Sequence, residues 1–267
     1  MLEILQYPFM VRALIAGGIL GIILTYLGIF VVLKKMAFFS DGIAHASLAG
    51  VAIGIIFSFN PTATAIIFSA VFALLIYFLE TKLKLSSDVT IGIIFTAGLS
   101  LGILLVSLTP GYQPELITFL FGNILSITKT EIITILIFSV IIVATIKILF
   151  KQITFMALNS ELAYANNIKI KYLQPLLYVI LAVAIVLSIK ILGIILVSAL
   201  LILPIATAKI KAKSLRQLTV EGIIWSEIFI ITGLVISYYF DLPSGPTIVL
   251  TGSALFGLQA LFSKIRA

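Results

Sequence analysis

The sequence predicts an all-α, polytopic transmembrane bundle of eight or nine spans. The chain has 267 residues, of which 62% are hydrophobic and only 10% are charged, and its mean hydropathy is +1.30. A soluble domain carries roughly 25% charged residues. The apolar runs lack the alternation that is typical of a transmembrane barrel. Helices are then the remaining way to satisfy backbone hydrogen bonds in lipid.

The length of the apolar runs predicts where the spans lie, because a spanning helix needs about 20 apolar residues. We place nine, give or take one, within a single membrane domain of residues 1–267: 12–33, 41–59, 62–80, 89–109, 131–150, 173–189, 191–208, 219–240 and 246–263. Lys190 and Gly193 interrupt the region 173–208, which is either two short spans or one span and a broken helix. Pro204 predicts a kink or break, because proline removes a backbone hydrogen bond.

Basic residues occupy alternate loops, which places the N-terminus outside and the C-terminus in the cytoplasm. The net charge of +7 is therefore an orientation signal, and no nucleic-acid partner is expected. The first dozen residues hold Glu3 and Pro8 and no basic stretch, so we expect a retained span and not a cleaved signal. The absence of cysteine excludes disulfides and thiolate metal ligands.

The segment 34–51 carries the candidate metal ligands. Asp41 and His45, the only histidine, are four residues apart, which on a helix places them on one face with a rise of about 6 Å. A carboxylate oxygen and an imidazole nitrogen can bind one divalent cation. Alternatively, Asp41 caps the second span or pairs with a lysine of that segment, and His45 bonds a neighbouring helix. Further oxygens could come from Ser47, Ser100, Ser198, the backbone at Pro204 or a second copy.

Two other segments stand apart from the spans. Residues 116–127 are apolar but too short to cross, which predicts an interfacial or re-entrant helix on the outer side. The loop 151–172 contains a capping-type start at Asn159 and one short amphipathic helix, which is either a linker or a lever for another subunit. Three pairs of glycines at helix-packing spacing favour close contact within the chain over subunit contact: Gly17 with Gly21, Gly50 with Gly54, and Gly98 with Gly102.

Several blocks together resemble the permease subunit of ABC importers for zinc, manganese and iron. The first two read Phe-Val-Val-Leu-Lys-Lys-Met at 30–36 and Asp-Gly-Ile-Ala-His-Ala at 41–46. The others lie, in the family's order, at 88–93, 120–126, 190–204 and 241–246. The resemblance covers essentially the whole chain, and the wording Ala-His-Ala-Ser-Leu at 44–48 is closer to the zinc members than to the manganese members.

The resemblance implies a permease of the type II kind, which serves vitamin B12 and metal chelates, in a bacterial or archaeal cytoplasmic (inner) membrane. It implies a homodimer in the lipid bilayer, cytoplasmic ATP-binding cassette subunits and an extracytoplasmic metal-binding protein. The chain lacks a Gly-x-x-x-x-Gly-Lys-[Ser/Thr] stretch, so we expect no ATPase activity and no enzyme here. No permanently bound cofactor is expected, and the cargo is zinc, or else manganese or ferrous iron.

The resemblance also assigns residues. It implies a transport pathway that runs through Asp41, His45, Asp88, Ser198 and Pro204. Asp41 and His45 are the transient metal ligands of that pathway. It implies an ATPase-coupling loop with Glu161 and Ala165, and with Asn167 where glycine is usual. Asparagine tolerates the left-handed backbone that such a turn needs.

Some alternatives stay open at this point. Asp88 could cap the fourth span, and Lys190 could either reach the outer interface or act in a gate. A stand-alone ion-coupled carrier is disfavoured because it predicts paired acids within the membrane, whereas most acidic residues here lie at span ends. An intramembrane enzyme is disfavoured because the chain has neither a His-Glu-x-x-His nor a Gly-x-Ser-x-Gly signature.

Overall fold

The computed structural model describes residues 6–108 and 122–265, and both ranges are helical without any strand. A 3-10 turn covers Ile124–Ser126. The ten α-helices are α1 (Pro8–Leu33), α2 (Phe39–Ile56), α3 (Pro61–Leu83), α4 (Ser87–Ser107), α5 (Lys129–Leu158), α6 (Ser160–Ala165), α7 (Ile170–Leu192), α8 (Ile194–Lys209), α9 (Leu215–Phe240) and α10 (Ser244–Ile265).

The helices confirm the predicted spans. They also show that the chain breaks at the first of the two predicted interruptions and not at Pro204. Eight helices are long and apolar enough to cross a membrane, and α8, with 16 residues, is apolar but shorter. The chain breaks at Gly193, whose φ of +79° is readily accessible to glycine. Helix α8 then continues through Pro204 without a break. The carbonyl of Leu200, which proline leaves without its helical donor, accepts instead from Thr25 Oγ1 at 3.4 Å.

Three helices form the centre of the bundle. Helices α1, α2 and α7 are mostly buried, whereas less than a third of the residues in the spans of α3, α4, α5 and α10 are buried. Helix α2 packs against α3, α4, α7 and α8, and α1 packs against α5, α8 and α9. The exposed surfaces of the outer helices are apolar, as expected where a bundle faces lipid or another subunit.

Glycines bring these helices close together, and all three predicted pairs face another helix of the same chain. Gly17 and Gly21 face α9, Gly50 and Gly54 face α3, and Gly98 and Gly102 face α2. The tightest approach lies elsewhere, at Gly28, where a methyl group would collide with the backbone carbonyl of Leu201. Glycine at this position therefore lets α1 pack directly on the backbone of α8.

The first half of the predicted interfacial helix at 116–127 lies outside the described residues, which resume at Gly122. The described end of that segment is the 3-10 turn and not the continuation of a helix. Gly122 has φ +64°, and a side chain there would collide with the backbone of Gly193. This close approach seats the segment before α5 against the break between α7 and α8.

Candidate metal site and coupling loop

A chain of hydrogen bonds joins Asp41 in the first turn of α2 to α8. Ser198 Oγ donates to Asp41 Oδ1 at 2.8 Å, and Ser40 Oγ lies 3.0 Å from Ser198 Oγ. Because the only hydroxyl proton of Ser198 goes to the carboxylate, Ser40 is the donor in the second bond. Phe38 occupies the N-cap position and no side chain caps α2. The carboxylate of Asp41 is therefore held across to α8 and does not cap its own helix.

His45 is oriented by its own helix. Its Nδ1 lies 2.8 Å from the backbone oxygen of Asp41, and a carbonyl oxygen only accepts, so Nδ1 carries the proton. Nε2 is then the ring nitrogen that can bind a cation when the ring is neutral. Histidines that bind metals commonly donate their other ring N–H to a carbonyl or carboxylate. The edge-to-face ring of Phe95 on α4, with a centroid distance of 4.6 Å, fixes the ring from the other side.

Ser198 lies well inside α8 and not at its end. Eleven residues separate Ser198 from the last residue of α8, Lys209, a rise of about 16 Å. The half-buried Asp41 carboxylate, which accepts from Ser198, therefore contacts α8 away from that end. No ion pair joins it to Lys34 or Lys35, because the one ion pair among the described residues is elsewhere.

The other candidate oxygens are not brought to Asp41. Ser47 Oγ is buried and donates to the carbonyl of Ala44 at 2.6 Å, and Ser100 is exposed on α4. Within residues 6–108 and 122–265, no three His, Cys, Asp or Glu side chains form a group that could hold a metal. One protomer therefore offers a carboxylate, an imidazole and a hydroxyl.

Two residues of the predicted pathway lie at a distance from this group. Asp88 is exposed in the first turn of α4, where Ser86 is the N-cap residue and Asp88 faces the favourable end of the helix dipole. It precedes Phe95 by seven residues, about 10 Å along the helix. Pro204 is buried six residues beyond Ser198, about 9 Å toward the cytoplasm.

An open polar cavity of about 700 Å³ lies at the cytoplasmic end of the bundle, and Lys34, Glu80, Glu161 and Gln174 are among its lining residues. Glu80 Oε2 accepts from Tyr178 Oη at 2.7 Å and from Gln174 Nε2 at 3.2 Å. Lys34 Nζ lies 5.2 Å from the centre of the Tyr178 ring. Burial lowers the pKa of the Lys34 ammonium, and the Glu80 carboxylate opposes part of that shift.

Sequence analysis missed this network of Lys34, Glu80, Gln174 and Tyr178. One signal was available: Glu80 is an acid in the last turns of an apolar helix, where an ionisable residue suggests a specific partner. Gln174 and Tyr178 are also four residues apart, the spacing that places two side chains on one face of α7.

The predicted coupling loop contains the predicted short helix, α6. Asn159 Oδ1 accepts from the backbone N–H of Glu161 at 2.8 Å and so starts the helix. Ala163 is fully buried, whereas Glu161 and Ala165 are exposed. Asn167 has φ +56°, the left-handed conformation expected at this turn. The loop thus anchors one face of α6 to the bundle and presents the other to the cytoplasm.

Comparison with known proteins agrees with this architecture. The model of the ABC 3 transport family matches residues 6–263. This chain belongs to that family. It is 35% identical over 261 residues to the high-affinity zinc uptake system membrane protein ZnuB of Haemophilus influenzae, with 98% of this chain and 100% of that protein covered. It is 32% identical over 260 residues to the manganese transport system membrane protein MntC of Listeria monocytogenes, with 97% and 92% covered.

Solved structures show the same fold. The structure of PsaBC from Streptococcus pneumoniae in complex with Fab matches with a TM-score of 0.83 at 31% identity, over 96% of this chain and 92% of that one. An inward-facing metal-chelate type ABC transporter matches with a TM-score of 0.75 at 16% identity, over 94% and 85%. The predicted family and the predicted type II permease fold are confirmed. The chain is the membrane permease of an ABC importer for metal ions.

Proposed function

We propose that this chain imports zinc across the cytoplasmic membrane and that Asp41 and His45 bind the ion transiently on its way. The observation that carries the proposal is the Ser40–Ser198–Asp41 chain of hydrogen bonds beside an oriented imidazole, between helices of an apolar bundle. A half-buried carboxylate in such a bundle, with no cationic partner among the described residues, is costly. A passing divalent cation compensates that cost.

Each side chain has a separate task in this mechanism. Asp41 supplies the negative charge, and the hydroxyl of Ser198 orients one carboxylate oxygen and leaves the other to the ion. His45 supplies Nε2, because Nδ1 is committed to the backbone. A small number of ligands is appropriate for transport, because an ion bound by four protein ligands in a closed site would not be released. The site therefore selects the ion without trapping it.

Ligand chemistry favours zinc over the alternative cargoes. Zinc readily binds imidazole nitrogen together with carboxylate oxygen, whereas manganese prefers the oxygen ligands of carboxylate, carbonyl and water. The zinc-uptake relative is also similar over its entire length. Manganese and ferrous iron remain the alternatives, and the similarity to a manganese transport protein keeps manganese in the test.

The proposed assembly is a homodimer of permeases with cytoplasmic ATP-binding subunits and an extracytoplasmic metal-binding protein. One protomer offers too few ligands for a complete site, and a second copy would supply another Asp41 and His45. ATP hydrolysis by the partner would act through α6, whose outer face is exposed. We propose that the whole assembly lies in a bacterial or archaeal cytoplasmic membrane.

The decisive experiment measures uptake of radioactive zinc into proteoliposomes that contain the complete importer, with manganese and ferrous iron as competitors. We expect His45→Ala to lower zinc uptake at least about 10-fold while the complex stays assembled, since even outer-shell partners of metal ligands are worth 10- to 100-fold. Thr96→Ala on α4 is the matched control, because its hydroxyl bonds only its own helix.

Three results would each contradict part of the proposal. Unchanged zinc uptake by the His45→Ala variant would remove the assigned site while leaving the family intact. Uphill transport by the permease alone, without the ATP-binding subunits, would instead identify a stand-alone carrier. Competition by manganese at equal or lower concentration than zinc would change the cargo and not the site.

A further inference from the structure

An apolar crevice opens on the outer half of the bundle, between α3 and α5. Its volume is about 370 Å³, within the range of pockets that bind small molecules. Ile66 of α3, Phe138 and Ile142 of α5, and Leu187 of α7 line its walls, and Leu20 and Ile23 of α1 form its floor. Helix α3 packs on α2 and α7, and α5 packs on α1 and α7, but α3 and α5 hardly touch each other. The crevice therefore opens sideways.

The depth of the crevice corresponds to one leaflet of a bilayer. Along α5 it extends from Glu131 to Ile142, eleven residues or about 16 Å. Half of the hydrocarbon core measures about 15 Å. The orientation predicted from the basic loops puts the start of α5 on the outer side of the membrane. The crevice thus begins at the outer interface and ends near the midplane.

The crevice is separate from the metal site. Asp41 and Ser198 meet where α2 contacts α8, and His45 faces α4. None of these residues lines the crevice, whose walls are α3, α5 and α7. The metal site and the crevice therefore have no lining residue in common.

The mouth of the crevice carries one charge of each sign. Lys190 Nζ lies 3.0 Å from Glu131 Oε1, and the two side chains are 47% and 33% exposed. Glu131 Oε2 also accepts from the backbone N–H and hydroxyl of Thr128, in a capping box that starts α5. An ammonium has three N–H donors and a carboxylate about four acceptor positions, so both groups can bind further partners without separating.

We propose that this crevice binds a phospholipid of the outer leaflet, and that its preferred headgroup is phosphatidylethanolamine. One acyl chain fills the apolar crevice, the phosphate accepts from Lys190, and the ethanolammonium donates to Glu131. A zwitterionic headgroup is complementary to both charges, whereas an anionic headgroup is complementary to one. Choline carries no N–H and cannot donate to the carboxylate, so phosphatidylcholine with the same acyl chains binds more weakly.

The test is native mass spectrometry of the complete importer, purified in detergent and incubated with palmitoyl-oleoyl phosphatidylethanolamine or phosphatidylcholine. We expect about 10-fold preferential retention of the ethanolamine lipid, the size of a hydrogen bond to a charged group. Glu131→Gln should abolish this preference. Glutamine is compatible with the capping box, so the start of α5 is preserved in this variant.

A second pair of variants tests the crevice itself. Ala63→Trp places an indole inside it, because Ala63 is one of its lining residues. Ile67→Trp, one turn further along α3, is 61% exposed and outside the lining, and serves as the control. We expect lipid retention to fall only in the first variant.

Three outcomes would overturn the proposal: equal retention of both lipids, a headgroup preference that survives Glu131→Gln, or full retention in Ala63→Trp. If Ala63→Trp instead separates two permease copies while Ile67→Trp does not, the crevice is a subunit interface and the lipid proposal is wrong. Zinc uptake is not a readout here, so this test is independent of the proposed metal site.

Discussion

Two half-buried polar regions of this apolar bundle are built in opposite ways. At the proposed metal site, the Asp41 carboxylate accepts one hydroxyl hydrogen bond, from Ser198, and has no cationic partner among the described residues. At the cytoplasmic cavity, the Glu80 carboxylate accepts hydrogen bonds from Tyr178 and Gln174, and Lys34 lies over the Tyr178 ring beside it. The cavity network compensates its own charge, whereas the proposed metal site does not. This difference supports the proposal that the first region binds an ion and suggests that the second holds helices together.

The cytoplasmic cavity also adjoins α6, the helix that we propose contacts the ATP-binding subunit. Glu161, which is exposed on α6, lines the same cavity as Lys34 and Glu80. Movement of α6 would therefore reach the loop between α1 and α2, and α2 carries Asp41. The comparison predicts that changes at α6 disturb coupling and leave ion binding intact, whereas changes at the metal site do the reverse.

The largest expected effect comes from α6. Ala165→Trp or Glu161→Lys changes the exposed face of a six-residue helix, so we expect metal-loaded binding protein to lose its stimulation of ATP hydrolysis. Because ATP hydrolysis drives transport in such an importer, zinc uptake should fall to the level measured without ATP. The measurement is ATPase activity of the reconstituted complex with and without the loaded binding protein.

Thr81→Ala is the control for this pair, because Thr81 is exposed at the cytoplasmic end of α3 and bonds only the carbonyl of Tyr77. Persistent stimulation in both α6 variants would show that coupling runs through another part of the chain. Loss of stimulation together with loss of zinc binding would show that the two regions do not act separately.

An intermediate effect is expected from Ser198→Ala, which removes the hydroxyl that orients Asp41. Outer-shell partners of this kind are typically worth 10- to 100-fold in metal affinity. We expect weaker zinc uptake of about that size, with normal ATPase stimulation at saturating zinc. Ser188→Ala is the control, since Ser188 is buried, more so than the half-buried Ser198, but donates only to Ala184 of its own helix. Equal effects of the two changes would mean that Ser198 acts through packing.

Local features of the sequence were sufficient to predict the helices but not to predict which helices and side chains contact each other. Apolar runs of spanning length and the basic loops predicted the span order, because lipid forces each span to satisfy its own backbone. Pro204 does not break α8, and the hydroxyl of Thr25, on a different helix, partly replaces the hydrogen bond that proline removes. A compensating contact from a distant segment leaves no local signal.

The candidate site shows the same limit. The four-residue spacing of Asp41 and His45 is local, so it was visible. Ser198 was one of three serines considered, and it could not be chosen over Ser47 or Ser100, because 157 residues separate it from Asp41. Glu80 and Tyr178 are 98 residues apart, and their pairing depends on how α3 packs on α7.

The smallest expected effect tests whether the cavity network is structural. Tyr178→Phe removes a hydroxyl that donates to Glu80 at 2.7 Å, and the other carboxylate oxygen already lacks a partner among the described residues. Leaving a buried acceptor unpaired costs about 1–3 kcal/mol, so the free energy of unfolding in detergent should fall by that amount. Tyr77→Phe, whose hydroxyl makes an exposed 3.3 Å bond to Lys171, is the control and should have a much smaller effect. Zinc affinity should be unchanged in both variants. A loss of zinc affinity in Tyr178→Phe without a loss of stability would mean that the cavity network shapes the metal site, and the two regions would then have to be treated as one.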